Sequence, residues 1–478
     1  MNKLKTIIAT GIAANAFNCN AQAAEEREKH ENIILIICDD LRCELGCYGN
    51  SPVISPNIDK LAGEGVLFSR AYCNIAVSGA SRASLLTGLR PTRNRFNMWN
   101  SRVDKDAPDA VTIQQAFKDN GYATVSNGKI YHHNDEKSNC FWDETMPVNF
   151  LDYHSDENLE IMAELERSGK GKRGYFYEHG DYADGDYLDA KVAEKSIKDM
   201  RRLSREGKPF FLGIGFTRPH LPFIVPERYW NMYDHDSITI PDNYRLKDGN
   251  LIPPEAIPGW SELRVYTGIP SGGPLDEETA KLMIHGYYAA VSYVDAQVGR
   301  IIDAVKELGL EDNTSIILIG DNGWNLGEHG AWCKHCILNT SLNVPMIIKS
   351  PVTTADKSFK NDRIVDFVDI YPTICDLAGI ANPEGLEGES LMPLLKSPGA
   401  KSKGYAVCRW DNSFTLIEKE LFYTEWWDNN DKTVGRLLFD HSNDPAENYN
   451  VAHRKKYEKT VKKMSRKLRE KRGKNYFL

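Results

Sequence analysis

Short unbroken apolar runs alternate along this chain with stretches in which apolar residues recur every three or four positions. The run NIILIICDD at 32–40 predicts a buried strand whose carboxyl end delivers Asp39 and Asp40 into a loop. SPNIDKLAGEGVLFSRAY predicts a helix over 57–64 followed by a strand. VTIQQAFKDNGYATVSNGKIYH repeats that unit, with Gly121 as the helix stop. A helix over 188–206 precedes KPFFLGIGF, another apolar strand. AVSYVDAQVGRIIDAVKELGL reads as a long amphipathic helix running into TSIILIGDNG, a buried strand that ends in an acid and a turn.

Strands alternating with helices predict an α/β fold: a large, predominantly parallel mixed sheet sandwiched by helices. Sites in such sheets lie beyond the carboxyl ends of the strands. Those ends carry Asp39 and Asp40, residues 129–132, residues 218–220, and Asp321 with Asn322. Residues 223–285 are rich in Pro, Gly and polar residues with weak periodicity, and read as an insertion of irregular loops of the kind that shapes a substrate mouth. After residue 398 the pattern changes to short aromatic strands, YAVCRW, FTLIEKELFYTEWW and GRLLFDH. The expected organisation is a main unit over 31–398 and a smaller subdomain over 399–478, an antiparallel sheet followed by a terminal helix.

Composition narrows the function. The 478 residues are 41% hydrophobic and 26% charged, with a formal net charge of −8, which suits a globular protein and not a nucleic-acid-binding surface. The basic end HRKKYEKTVKKMSRKLREKRGKN places Tyr457, Val461, Met464 and Leu468 at helical spacing and is expected as a solvated terminal helix. At the other end, residues 1–23 carry two lysines, a short apolar run and Ala21-Gln22-Ala23, the pattern of a secretory signal, followed by a charged linker over 24–30. Phe17 and Asn18 suit lipidation of Cys19 poorly. No other run is long and apolar enough to span a bilayer, so the expected location is periplasmic or secreted, with no membrane partner. The remaining cysteines lack a repeating spacing. Cys333 and Cys336 form one short pair without a second, so buried thiols or one local disulfide are expected over structural zinc.

The strand ends hold the candidate chemistry. Asp39, Asp40, Asp321 and Asn322 are hard oxygen donors suited to calcium or magnesium. Turn chemistry accounts for each pair alone; together they point to a metal. Lys129 and His132 in GKIYH, His220 in RPHLPF and Lys334 in GEHGAWCKH lie in matching loops. Such groups beside a hard cation make a site for a substrate with several anionic oxygens, and a histidine or lysine can protonate a leaving oxygen. CNIAVSGASRASLLTG adds Ser78 and Arg82 in a run of small residues that opens a helix.

Ser78-Gly79-Ala80-Ser81-Arg82, followed by Leu86-Thr87-Gly88, resembles the sulfatase signature, with Ala80 where the pattern usually has Pro. DDLRCELGCYGN, SPNIDKLAGEGVLF, GKIYH, RPHLPF, DNGWNLGEHGAW and LFDHSNDPAENYNVA are similar to sulfatase segments in the same order, over about 32–455. Through DDLRCELGCYG, GKIYH, SYVDAQVGRI and DNGWNLGEHG the chain resembles the iduronate-2-sulfatase branch, which has His where this chain has Asn322.

The resemblance implies that Ser78 is oxidised to formylglycine by a transiently bound maturase. One hydroxyl of the hydrated aldehyde would attack sulfur and the other would release sulfate. It implies Ca2+ ligands at Asp39, Asp40, Ser78, Asp321 and Asn322, and sulfate contacts from Arg82, Lys129, His220 and Lys334. It implies that His132 orients or activates the formylglycine and that His220 is the acid for the leaving oxygen. Serine in place of cysteine resembles bacterial enzymes matured anaerobically. The expected function is hydrolysis of a sulfated oligosaccharide, with a uronic acid 2-O-sulfate in glycosaminoglycan breakdown as the leading substrate. The alternatives are an exo-sulfatase on carrageenan or ulvan fragments, a phosphoryl-transfer enzyme on the same scaffold, and a non-catalytic glycan-binding protein.

Overall fold

A computed structural model describes residues 31–49, 51–353 and 358–472. The signal and linker expected over 1–30, and Cys19 within them, lie outside the described residues. The main sheet has nine strands: β1 (Asn32–Asp39), β2 (Val66–Tyr72), β3 (Ala123–Gly128), β4 (Glu144–Met146), β5 (Phe210–Pro219), β6 (Thr314–Gly320), β7 (Asn343–Lys349), β8 (Phe359–Asn361) and β9 (Val365–Asp366). Their order is β8-β2-β7-β6-β1-β5-β3-β4, with β9 beside β2. β1 pairs in parallel with both β5 and β6, and β3 with both β5 and β4; only β7 runs antiparallel to its neighbours β6 and β2. The fold is therefore the expected mixed, mostly parallel α/β sheet.

The apolar run of β1 has no polar face because both faces are covered. Ile33, Leu35 and Ile37 enter one core with the helices α2 (Ser78–Thr87) and α3 (Ile113–Asp119), while Ile34, Ile36 and Cys38 enter the other. That second core is closed by α1 (Pro56–Glu64), α4 (Leu188–Glu206) and α5 (Glu277–Glu307). Pro56 opens α1 where its missing N–H costs nothing, and Ile58, Leu61 and Ala62 form its buried stripe. Fully buried aliphatic side chains of this kind each contribute about 1.5–3 kcal/mol.

Two expectations need correction. α5 starts at Glu277, capped by Asp276 accepting from the Thr279 amide at 2.8 Å, so the last part of the 223–285 stretch is helix. That stretch also opens on a short strand, Phe223–Pro226, paired with Tyr177–Gly180. The terminal helix α6 (Glu458–Arg472) is not simply solvated. Met464 and Leu468 are fully buried against Val407, Phe414, Leu416 and Tyr423 of the antiparallel sheet β10 (Tyr405–Trp410), β11 (Ser413–Glu418), β12 (Leu421–Trp427) and β13 (Thr433–Asp440). On the same helix Lys467 pairs with Glu418 at 2.6 Å.

Lys403 ties this smaller sheet to the main one, reaching Asp366 at 2.7 Å and Asp369 at 2.6 Å with all three side chains buried. No helix among the described residues is long and apolar enough to cross a membrane.

Candidate active site

The register of the sheet assembles the acidic half. Cys38 of β1 sits opposite Gly320 of β6, so Asp39 and Asp40 leave the sheet beside Asp321 and Asn322. Asp40 takes a left-handed backbone (φ 64°), a conformation that costs a non-glycine residue about 1–3 kcal/mol and clusters at functional sites. Its carbonyl accepts from the Tyr287 hydroxyl of α5 at 2.8 Å, and its amide donates to Asp321 Oδ1 at 2.9 Å. The Asn322 amide donates to the same oxygen, and Asn322 Nδ2 donates to Asp40 Oδ1 at 2.7 Å.

Ser78 is the first residue of α2, with its amides and dipole facing this cluster. Its hydroxyl donates to Asp39 Oδ1 at 3.0 Å and lies 3.4 Å from Asn322 Oδ1. The small residue at 79 lets the helix start pack closely on the loop at Trp99. A Cβ on Gly79 would stand 2.1 Å from the Trp99 carbonyl oxygen, and Ser81 Oγ donates to the Asp321 carbonyl. One turn along, Arg82 is fully buried and fully engaged: Nε donates to Asp321 Oδ2 at 2.8 Å, one terminal nitrogen to Asp39 Oδ1 at 3.3 Å, and the other to the Lys129 and Ile130 carbonyls.

The remaining cations arrive on three loops. Lys129, directly after β3, bonds Asp39 Oδ2 through its ammonium. Its backbone rests on β5 at Gly215, where a Cβ would lie 2.1 Å from the Lys129 carbonyl oxygen. Lys334 donates to Asp40 Oδ2 at 2.7 Å and lies between Cys333 and His335, both left-handed (φ 63° and 59°). His220 Nε2 stands 3.8 Å from Asp40 Oδ2, and its Nδ1 contacts the Leu221 carbonyl. That loop is clamped by buried Asp189, which accepts from the amides of Thr217 and Arg218 at 2.8 and 2.9 Å. His132 is packed edge-on against His133, and its buried Nδ1 has no hydrogen-bond partner. No hydrogen bond joins it to Ser78 among the described residues.

Crowding of like charge sets the electrostatics. Burial raises Asp40 to about 7 despite Lys334 and His220, with Asp39 and Glu262 adding to the rise. Burial also raises Asp321 against the pull of Arg82. Asp39 goes the other way: burial is outweighed by Lys129, His220, Arg82 and Lys334, which hold it well below the usual carboxylate range. Burial and the Lys129 charge push His132 down to about 2, so its ring is neutral at physiological pH. A carboxylate oxygen from each of Asp39, Asp40 and Asp321 falls within a 4.8 Å cluster that also faces Asn322 Oδ1 and Ser78 Oγ. This is an all-oxygen donor set with an unfavourable buried charge, and it fits a hard divalent ion.

Glu262, inside the 223–285 stretch, is the site residue that no motif signalled. It accepts from Lys334 at 2.8 Å and lies 3.1 Å from His220 Nε2. Lys334 and His220 outweigh its burial and hold it well below the usual range. Cys333 and Cys336 are buried free thiols that form no disulfide, and all nine described cysteines are free; Cys336 Sγ contacts Ser341 Oγ at 3.1 Å.

A family model described as sulfatase matches residues 31–380, and one described as N-sulphoglucosamine sulphohydrolase, C-terminal, matches residues 327–474. The chain belongs to the sulfatase family and is a sulfuric ester hydrolase. It is 33% identical to iduronate 2-sulfatase of Mus musculus over 389 residues, covering 74% of this chain and 69% of that one. It is 34% identical to iduronate 2-sulfatase of Homo sapiens over 380 residues, covering 76% and 68%. A solved structure in complex with its substrate D-glucosamine-2-N,6-O-disulfate shares the fold with a TM-score of 0.74 at 23% identity, covering 94% of this chain and 98% of that one.

Proposed function

We propose that the protein removes sulfate from sulfated glycans, with the 2-O-sulfate of a uronic acid in glycosaminoglycan breakdown as its substrate. The observation that carries this reading is the Ser78 hydroxyl, buried at a helix N-terminus, bonded to Asp39 and backed by Arg82 and Lys129. The 33–34% identity to two iduronate 2-sulfatases supports the choice of sugar. The N-terminal pattern of residues 1–23 supports export to the periplasm or medium.

Asp39, Asp40, Asp321, Asn322 and residue 78 would hold a calcium ion, which supplies concentrated positive charge for a sulfate group and an ionising hydroxyl. Oxidised to formylglycine by a maturase and hydrated, residue 78 would carry two hydroxyls on one carbon, one to displace at sulfur and one whose proton loss expels sulfate. The other residues have separable tasks. Lys129 and Lys334, held by Asp39 and Asp40, flank the sulfate and offset charge on its oxygens. Arg82 fixes Asp39 and Asp321 so that the cluster keeps its shape when substrate enters. His132, neutral and with its Nδ1 unpartnered, would orient residue 78 once that side chain is oxidised. His220 gives its Nε2 proton to the leaving sugar oxygen.

The test is protein made with and without an anaerobic maturase, assayed on defined sulfated disaccharides. Matured protein should carry residue 78 lighter by two hydrogens and desulfate the uronic acid 2-O-position in preference to glucosamine 6-O- and N-sulfates. Full activity with an intact serine would sink the nucleophile, and preference for another position would sink the substrate.

A further inference from the structure

Glu262 enters the site from a loop that carries none of the sulfatase motifs, and its two oxygens are treated differently. Oε1 accepts from Lys334 at 2.8 Å and faces His220 Nε2 at 3.1 Å, so the carboxylate is tethered at that oxygen. Oε2 is buried and accepts no hydrogen bond; the His335 ring nitrogen stands 3.8 Å away, beyond bonding reach. A buried carboxylate oxygen without a donor is costly, and native sites rarely leave one unless a ligand supplies the donor.

The identity of that donor follows from the neighbours. Asp40, His220 and Glu262 converge closely enough to suggest a second cation, but the Lys334 ammonium already bonds both carboxylates and occupies that position. A sulfate group offers only acceptors and would be repelled. A hydroxyl on the alcohol half of the ester is a neutral donor. Glu262 bridges Lys334, placed beside the sulfate, and His220, assigned to the leaving oxygen, so it stands next to the bond to be broken and within reach of its alcohol half.

We infer that Glu262 is a specificity-determining residue whose Oε2 accepts a hydrogen bond from the hydroxyl next to the sulfated carbon. The inference rests on the glycan reading above and deepens it: the substrate class is a sugar sulfate with a free vicinal hydroxyl. For a uronic acid 2-O-sulfate that group is the 3-hydroxyl. A site built around such a bond rejects the analogue lacking it strongly, because its own polar atom is then left unpaired.

The experiment compares matured wild-type enzyme, Glu262→Ala and Glu262→Gln on three compounds: a methyl uronoside 2-O-sulfate, its 3-deoxy analogue, and 4-nitrophenyl sulfate. Wild type should favour the 3-hydroxyl compound over the deoxy compound by about a hundredfold or more in kcat/KM. Both variants should narrow that ratio below about tenfold. The ratio is taken within each enzyme, so partial misfolding cannot imitate the effect, and the glutamine variant preserves shape if alanine does not fold. An unchanged ratio in the variants, or no preference in wild type, overturns the inference. Wild-type turnover of 4-nitrophenyl sulfate without the uronoside overturns the glycan reading instead.

Discussion

Arg82 and Asp321, 239 residues apart in sequence, meet at 2.8 Å with neither side chain exposed to solvent. Breaking a buried ion pair by removing one partner typically costs about 3–5 kcal/mol, because the other charge stays buried and uncompensated. Arg82→Met should lower thermal stability measurably and reduce kcat/KM by about a hundredfold or more. Arg82→Lys should recover part of the stability and little of the activity, since one ammonium cannot serve Asp321, Asp39 and the Lys129 carbonyl together. Melting curves and kinetics on the two variants check this.

Removal of divalent ions should abolish activity and lower the melting temperature, because an ion held by Asp39, Asp40 and Asp321 only in the folded chain adds its binding free energy to stability. Added calcium should reverse both effects. Chelation followed by calorimetry tests it; indifference of both readouts to chelator would remove the ion from the site.

Glu328 fastens the loop after β6 to the loop after β1, accepting from Arg42 at 2.7 Å and from the Leu326 amide at 2.7 Å. Burial would raise its carboxyl, but Arg42 outweighs it and holds the group below its ordinary value of 4.5. The sign follows: a depressed folded-state value contributes stability above the unfolded value and loses it as pH falls through the folded one. Glu328→Gln should therefore be less stable than wild type at pH 7, with the gap closing well below pH 4.5. Melting temperatures of both proteins across that range are the check.

Gly215→Ala should cost activity out of proportion to stability. The added methyl would meet the Lys129 carbonyl at 2.1 Å and displace the lysine from Asp39, while the strand around it stays paired. Circular dichroism close to wild type with kcat/KM down at least tenfold is the expected pattern.

Lys403→Met should loosen the smaller sheet from the larger one. The substitution leaves Asp366 and Asp369 buried with Arg90 alone, which reaches only Asp366, at 2.7 Å. Limited proteolysis should cut the variant near residue 400 faster than wild type.

The acidic half of the site was legible because it hangs on the strongest pattern in the chain. Runs such as NIILIICDD and TSIILIGDNG are too apolar to be anything but central strands, and a parallel sheet sends their ends to one edge. Lys129 and His220 follow from the same rule, and Lys334, after a short antiparallel hairpin outside the main sheet, from the resemblance. Glu262 was not legible, because its partner Lys334 lies 72 residues away and the intervening loops have no period to read. Tyr287 was hidden differently: in α5 it reads as one more apolar residue of the stripe, although its hydroxyl holds the Asp40 backbone. The early start of α5 carried a signal in Asp276, overshadowed by the Pro- and Gly-rich sequence just before it.

Ser78 retains only 2% of its accessible surface, and part of what covers it is the turn after β6. That strand cannot take its place beside β1 until residue 320 has been made. A macromolecular catalyst acting on the Ser78 side chain should therefore reach it on an open polypeptide, before the sheet closes. Molecules that close first should stay unmodified, and unfolding and refolding them in the presence of the same catalyst should rescue them.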